Sequence, residues 1–193
     1  MNENMRDKEL FISLLRDINR PNTEKLICKL DAMGFFQAPA SASLPSRRSH
    51  FAFKGGLLEH TLNVYYCGRI LWKLLRNYIT SVPYEEVVVS TLLHDVCKAD
   101  RYILCEGLYV KAPDASLPIG HSEKSLTIIL GSGYPLNESE ICAIRFHMAP
   151  FRLNHVCSDE LSSFETSQEK YPLVTLLECA DTLCAKIIER KNS

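Results

Sequence analysis

Between Tyr84 and Val96 the chain is apolar almost all the way round a helix. Val87, Val88, Val89, Leu92 and Leu93 leave no continuous polar side, and a helix of that kind has to be enclosed by other elements. Glu85 and Glu86 stand in its first turn, where negative charge suits the helix dipole. His94-Asp95 closes it, within the run Thr91-Leu-Leu-His-Asp-Val-Cys-Lys98. The fold is therefore expected to be one in which other helices surround this one.

The rest of the sequence supplies them. Residues 5–19 carry Leu10, Phe11, Leu14, Leu15 and Ile18 at helical spacing, until Asn19-Arg-Pro21-Asn22 breaks the pattern. A second helix runs from near Thr23 to Met33, with Leu26, Ile27 and Leu30 on its apolar face and Gly34 as its stop. Residues 35–56, with Pro39, Ser41, Ser43, Pro45, Ser46 and Gly55-Gly56, read as a surface loop or a strap across a helical core. A long helix follows from about Leu57 to Tyr78, with Leu58, Leu62, Tyr65, Ile70 and Leu71 as apolar positions and His60 in its first turn.

Further helices are expected at 120–131, at 137–148 and at 172–190. The second has Asn137 as N-cap with Glu140 three positions on. The third has Pro172 in its first turn and an inner stripe of Leu173, Leu176, Leu177, Ala180, Cys184 and Ile187, with Asp181 on or beside it. Residues 102–112 suit a short β-hairpin turning at Glu106-Gly107, and residues 151–170 read as polar and irregular. The sum is an all-α bundle in one domain over 1–193, with N-terminal helices over 1–34 and a helical core over 50–190.

Composition narrows the function classes. Hydrophobic residues make up 46% of 193 residues and the net charge is -1, so the chain is globular, with no global attraction to nucleic acid or anionic membrane. No apolar run reaches the length of a membrane span, and Met1 to Glu9 lacks the core of a secretion signal, so the expected location is the cytoplasm. The 8 cysteines contain no C-x-x-C pair and most sit among aliphatic residues, which points to reduced, buried thiols. Cys97, between Asp95 and Lys98, is the exception.

Six potential metal ligands recur along these helices: His60, His94, Asp95, His121, His147 and Asp181. Imidazole and carboxylate together suit a first-row divalent ion, and such an ion makes a nucleophile of water near neutral pH. Neighbours on a helix diverge by about 100°, yet His94 and Asp95 can meet one ion at the helix end, joined by His60 and Asp181. With His121 and His147, Asp95 can bridge a second ion. Lys98 is placed to neutralise phosphate charge, with Arg101, Lys124, Arg145 and Arg152 as further cations and His50 as a further substrate contact.

Each has a plainer reading. Lone helical histidines are commonly packing or surface residues, His50 can belong to a solvated loop, and His155 is assigned to one. Lys98 can serve the helix C-terminus, and Asp181 can pair with Arg145 or Lys98. A carboxylate on an apolar face needs some such partner.

The series His60, His94-Asp95 and Asp181 resembles that of the HD-domain superfamily of metal-dependent phosphohydrolases, over residues 50–190. Gly55-Gly-Leu-Leu-Glu-His-Thr61 with Leu92-Leu-His-Asp-Val-Cys-Lys98 is most similar to the HD domain of the YhaM-type 3'-to-5' exoribonucleases. The resemblance implies an all-α fold and phosphoester hydrolysis. It also implies His60, His94, Asp95 and Asp181 as ligands of a first ion, with His121 and His147 at a second. The chain departs from the family at Cys97, where members often have glycine, and at Met148, where many two-metal members have another histidine. About 50 residues precede the core and read as helices, not as an OB-type domain, so nucleic acid is not the favoured substrate.

The expected function is hydrolysis of a nucleotide or other small phosphoester, with Asp95 and Lys98 as catalytic residues. Lys98, Arg145 and His50 would contact substrate, with one or two divalent ions drawn from Mn, Fe, Ni, Mg or Zn. The same ligands would serve a di-iron oxygenase, and the fold would also serve a non-catalytic nucleotide-binding domain. No membrane partner is expected, and the sequence sets no oligomeric state.

Overall fold

The computed structural model describes residues 3–43, 51–148 and 158–189. Over these the protein is mostly helical: α1 (Glu3–Asp17), α2 (Thr23–Ala32), α3 (Gly56–Leu75), α4 (Tyr84–Leu93), α5 (His121–Leu130), α6 (Glu138–Phe146), α7 (Ser158–Lys170) and α8 (Pro172–Leu183). Two 3-10 turns, Phe35–Gln37 and Val96–Asp100, and a π-turn, Cys184–Ile188, complete them. The expected hairpin is present as β1 (Tyr102–Cys105) and antiparallel β2 (Leu108–Lys111), turning through Glu106 and Gly107 at positive φ of 49° and 82°. No helix of the described residues is long and apolar enough to cross a membrane.

The apolar helix α4 is central, as its sequence requires. Val87, Val88, Val89, Leu92 and Leu93 are all buried, and α3, α6, α8 and α1 pack around them. Gly68 permits the approach of α3 to α4, since a Cβ there would meet Thr91 Cγ2 at 2.8 Å. Two apolar clusters result. One joins Phe11, Leu15, Leu26, Leu30 and the aromatic pair Phe35-Phe36 to Leu58, Leu62, Leu92, Leu93 and Ile128. The other joins Val64, Val87, Phe146 and Phe164 to the inner face of α8. Each fully buried Leu or Phe contributes about 1.5–3 kcal/mol relative to exposure.

The described parts of the segment after α2, residues 35–43 and 51–55, pack as a strap and not as a loose loop. Ala38 and Ala40 are buried, and Ala40 N–H donates to Phe51 O, Gly55 N–H to Gln37 O and Leu57 N–H to Ala38 O. Gly55, at φ 85°, turns the strap into α3. The capping box of α6 is also as expected: Glu140 N–H donates to Asn137 Oδ1 and Asn137 N–H to Glu140 Oε2, both at 2.9 Å.

Several expectations are corrected. Residues 158–170, read as irregular, form α7. Its apolar stripe is too sparse to recognise, and it is anchored by Phe164 against Phe146, at 5.8 Å between ring centroids. Helix α3 ends at Leu75, and Ile70, expected on an apolar face, is exposed while Leu71 packs inward. Helix α4 ends at Leu93, because the chain tightens into the 3-10 turn. Ile187, expected on the inner stripe of the last helix, is exposed, because the π-turn shifts the phase. The described cysteines are free thiols, but only Cys97 and Cys184 among them are buried, while Cys28, Cys105 and Cys179 are exposed. Aliphatic neighbours in sequence do not fix which way a helical side chain faces.

Candidate metal centre

The end of α4 builds the centre. His94 still has helical backbone, at φ -57° and ψ -35°, but Asp95 leaves it at φ -115° and ψ 17°. Two neighbours that would diverge along a helix thus converge, with His94 Nε2 3.5 Å from Asp95 Oδ2. The 3-10 turn that follows has about three residues per turn, which brings Lys98 over Asp95, its Nζ 2.5 Å from Oδ2.

Other elements deliver the remaining candidate ligands. From α3, His60 places Nε2 3.6 Å from Asp95 Oδ2 and 3.3 Å from Oδ1 of Asp181, on α8. His121, the first residue of α5, places Nε2 2.6 Å from Asp95 Oδ1, and His147, at the end of α6, places Nε2 3.6 Å from the same oxygen. The Asp95 carboxylate is therefore divided: Oδ2 faces His60 and His94, and Oδ1 faces His121 and His147. His60, His94 and Asp95 form one group whose ligand atoms lie within 4.8 Å of one another; His94, His147 and Asp181 form a second, and Asp95, His121 and His147 a third. All six residues named from the sequence are buried and brought together.

The histidines are held so that Nε2 faces inward. His94 Nδ1 donates to Thr91 O at 2.8 Å, and His147 Nδ1 to Ile144 O at 2.7 Å. Both acceptors are last-turn carbonyls, which have no partner within their own helix. A carbonyl only accepts, so each Nδ1 carries the proton and each Nε2 presents a lone pair. Among the described residues, nothing hydrogen-bonds to the buried Nε2 atoms of His94 and His147, a state that costs about 1–3 kcal/mol per group. Divalent cations beside these nitrogens would satisfy both, so the residues present fit a metal.

His60 Nδ1 lies 3.0 Å from both carboxylate oxygens of Glu189. His121 Nδ1 lies 2.8 Å from Cys97 Sγ and 3.4 Å from Arg101 Nη1.

The electrostatics match cation binding. Burial pushes the Asp95 carboxyl upward, but Lys98, His94 and His121 overcome it and hold the group well below the usual carboxylate range. Burial likewise raises Asp181, and the His60 hydrogen bond overcomes it, leaving Asp181 low. Burial lowers His60, but Asp181, Asp95 and Glu189 raise it well above an ordinary histidine. His121 is lowered to about 4 by burial, only partly opposed by Asp95. Burial and the Asp95 charge push the Cys97 thiol up to about 12, so it stays protonated. Lys98 is lowered by burial but raised further by Asp95 and Asp181, so it stays charged.

The other expected contacts are placed differently. The Arg145 guanidinium is engaged by Glu123 at 2.9 Å and Glu160 at 2.8 Å. Lys124 pairs with Asp100 at 2.5 Å. His50, Arg152, His155 and Cys157 lie outside the described residues. Glu189 went unnoticed in the sequence, where it follows Ile187-Ile188 beyond the apolar stripe of α8 and carries no periodic signal. No family model, no curated protein and no solved structure matches the chain.

Proposed function

We propose that this protein is a metal-dependent phosphohydrolase of the HD type, acting on a nucleotide or another small phosphoester. The division of the Asp95 carboxylate between two sets of imidazole nitrogens carries the reading. His60, His94, Asp95 and Asp181 would hold one ion, and Asp95, His121 and His147 a second. A divalent ion bound there supplies Lewis acidity and a water whose pKa falls to near neutral.

The chain's own groups do the rest. Nδ1 of His94 and of His147 is tied to a backbone carbonyl, which keeps Nε2 available without reorganisation. Asp95 stays ionised despite its burial. Lys98 keeps its positive charge beside that carboxylate and neutralises charge growing on phosphate oxygens. The motif residues that resemble the HD superfamily are the same residues that meet here, which supports the metal-dependent reading.

The test is metal analysis of protein purified without chelator, followed by a phosphoester panel with Mn, Mg, Ni and Fe. Bound or restorable metal together with phosphate release is expected. A protein that neither holds nor regains metal, and that leaves every phosphoester intact, overturns the reading.

A further inference from the structure

The last helix widens before it ends. From Cys184 to Ile188 it forms a π-turn, and Glu189 N–H donates to Cys184 O at 2.9 Å, five residues back instead of four. The turn inserts one residue. On a regular α-helix a residue shares its side with the one about seven further on, and the insertion transfers that place to the eighth. Asp181 and Glu189 are eight apart. Without the insertion Glu189 would be rotated by about 80° from the side of Asp181.

The consequence is a grip on one imidazole from two directions. Asp181 Oδ1 lies 3.3 Å from His60 Nε2, and both Glu189 oxygens lie 3.0 Å from His60 Nδ1. Asn63, one turn along α3, donates Nδ2–H to Glu189 Oε1 at 3.2 Å. Glu189 is 4% exposed, and a carboxylate so buried is costly unless it is hydrogen-bonded.

His60 needs this partner for a reason particular to its place. His94 and His147 stand at helix ends and orient their rings with spare backbone carbonyls. His60 lies within α3, where the preceding carbonyls are engaged by the helix itself. Its orienting acceptor has to come from the side chain of another element.

We propose that Glu189 is the positioning residue of His60, and that the π-turn is the device that delivers it. Glu189 accepts a hydrogen bond from Nδ1–H, fixes the ring and its tautomer, and raises the basicity of Nε2 toward the ion. Carboxylates that support ligand histidines in this way change metal affinity by about 10–100-fold. The assignment rests on the metal reading of the cluster and is independent of which reaction the ion serves.

The experiment compares wild type with Glu189→Ala and Glu189→Gln. Mn2+ binding is measured by titration calorimetry, and the His60 ring signals by imidazole 1H–15N spectra, which read its protonation in chelated protein and its tautomer in Zn2+-loaded protein. Glu189→Ala is expected to weaken Mn2+ binding about 10–100-fold and to shift the His60 ring signals. Glu189→Gln, which keeps an acceptor and the shape but not the charge, is expected to fall between and to decide the matter if the alanine variant does not fold. Wild-type Mn2+ affinity and unchanged His60 signals in Glu189→Gln overturn the assignment alone. A wild type that takes up no Mn2+ overturns it together with the metal reading. Metal binding that depends on Glu189, without hydrolysis of any phosphoester, supports it and overturns only the proposed reaction.

Discussion

His121 Nε2 lies 2.6 Å from Asp95 Oδ1, although His121 starts α5 and Asp95 lies just beyond the end of α4. The contact faces away from His60 and His94, which approach the other oxygen. On the proposed reading this one carboxylate serves two ligand sets, which are expected to respond differently to substitution. Asp95→Ala is expected to abolish binding of both ions. His121→Ala is expected to reduce the bound metal from about two ions to about one, because only the second set loses a member. Inductively coupled plasma mass spectrometry on protein purified without chelator reads the stoichiometry. Equal metal content in His121→Ala and wild type counts against the bridging role.

Lys98 is the cation nearest the shared carboxylate, at 2.5 Å. Lys98→Ala is expected to lower kcat/KM on a phosphoester by about 100-fold, or roughly 2.7 kcal/mol of transition-state stabilisation. Metal content should persist, since Lys98 ligates nothing. Steady-state kinetics beside metal analysis checks both halves. A variant that loses its metal instead would make Lys98 a support of Asp95.

The pH dependence of stability follows from His121. Its folded-state pKa of about 4 lies below that of a free histidine, about 6.5. The unfolded chain therefore takes up this proton first as pH falls. The stabilisation is complete above about pH 6.5 and is lost toward pH 4, a change on the order of 3 kcal/mol. Asp95 and Asp181, held low, lose their contributions only at more acidic pH. His60, held high, is at full effect below about 6.5 and loses its contribution on the alkaline side. Urea unfolding of chelated protein from pH 7 to 4.5 should show a falling midpoint, and His121→Asn should flatten the fall. Parallel slopes in the two proteins would refute the assignment.

Arg20 ties the N-terminal helices to α6. Its guanidinium meets the Glu140 carboxylate at 2.8 Å and 2.7 Å, and the Glu140 side chain is wholly buried. Arg20→Ala leaves that carboxylate without its cation, at an expected cost of about 3 kcal/mol. Thermal unfolding should fall by roughly 6–12 °C. The capping box with Asn137 should survive, so helix content by circular dichroism should not change.

Much of this architecture is legible along the chain, because it depends on local periodicity. The apolar positions that mark α1, α2, α3, α4 and α8 recur at helical spacing. Asn137 and Glu140 announce α6 from their spacing alone. Helix α7 carries no comparable stripe, since Phe164 and Ser167 are its only buried residues among those described. Its helix depends on a partner, Phe146, that sequence does not place beside it. Ile70 and Ile187 failed in the opposite sense: both are strongly apolar, yet packing leaves them in solvent.

The sequence by itself determined that this chain folds into helices around a buried α4. It also named the six residues with chemistry suited to a divalent ion, because residue type and local period are properties of the chain. Only the tertiary structure decided how those residues share Asp95, which oxygen faces which imidazole, and that Glu189 belongs with them. Those relations depend on where α4 breaks and on one inserted residue in the last helix. Breaks and insertions of that kind follow from the packing of distant segments, and a reading along one dimension carries no record of them.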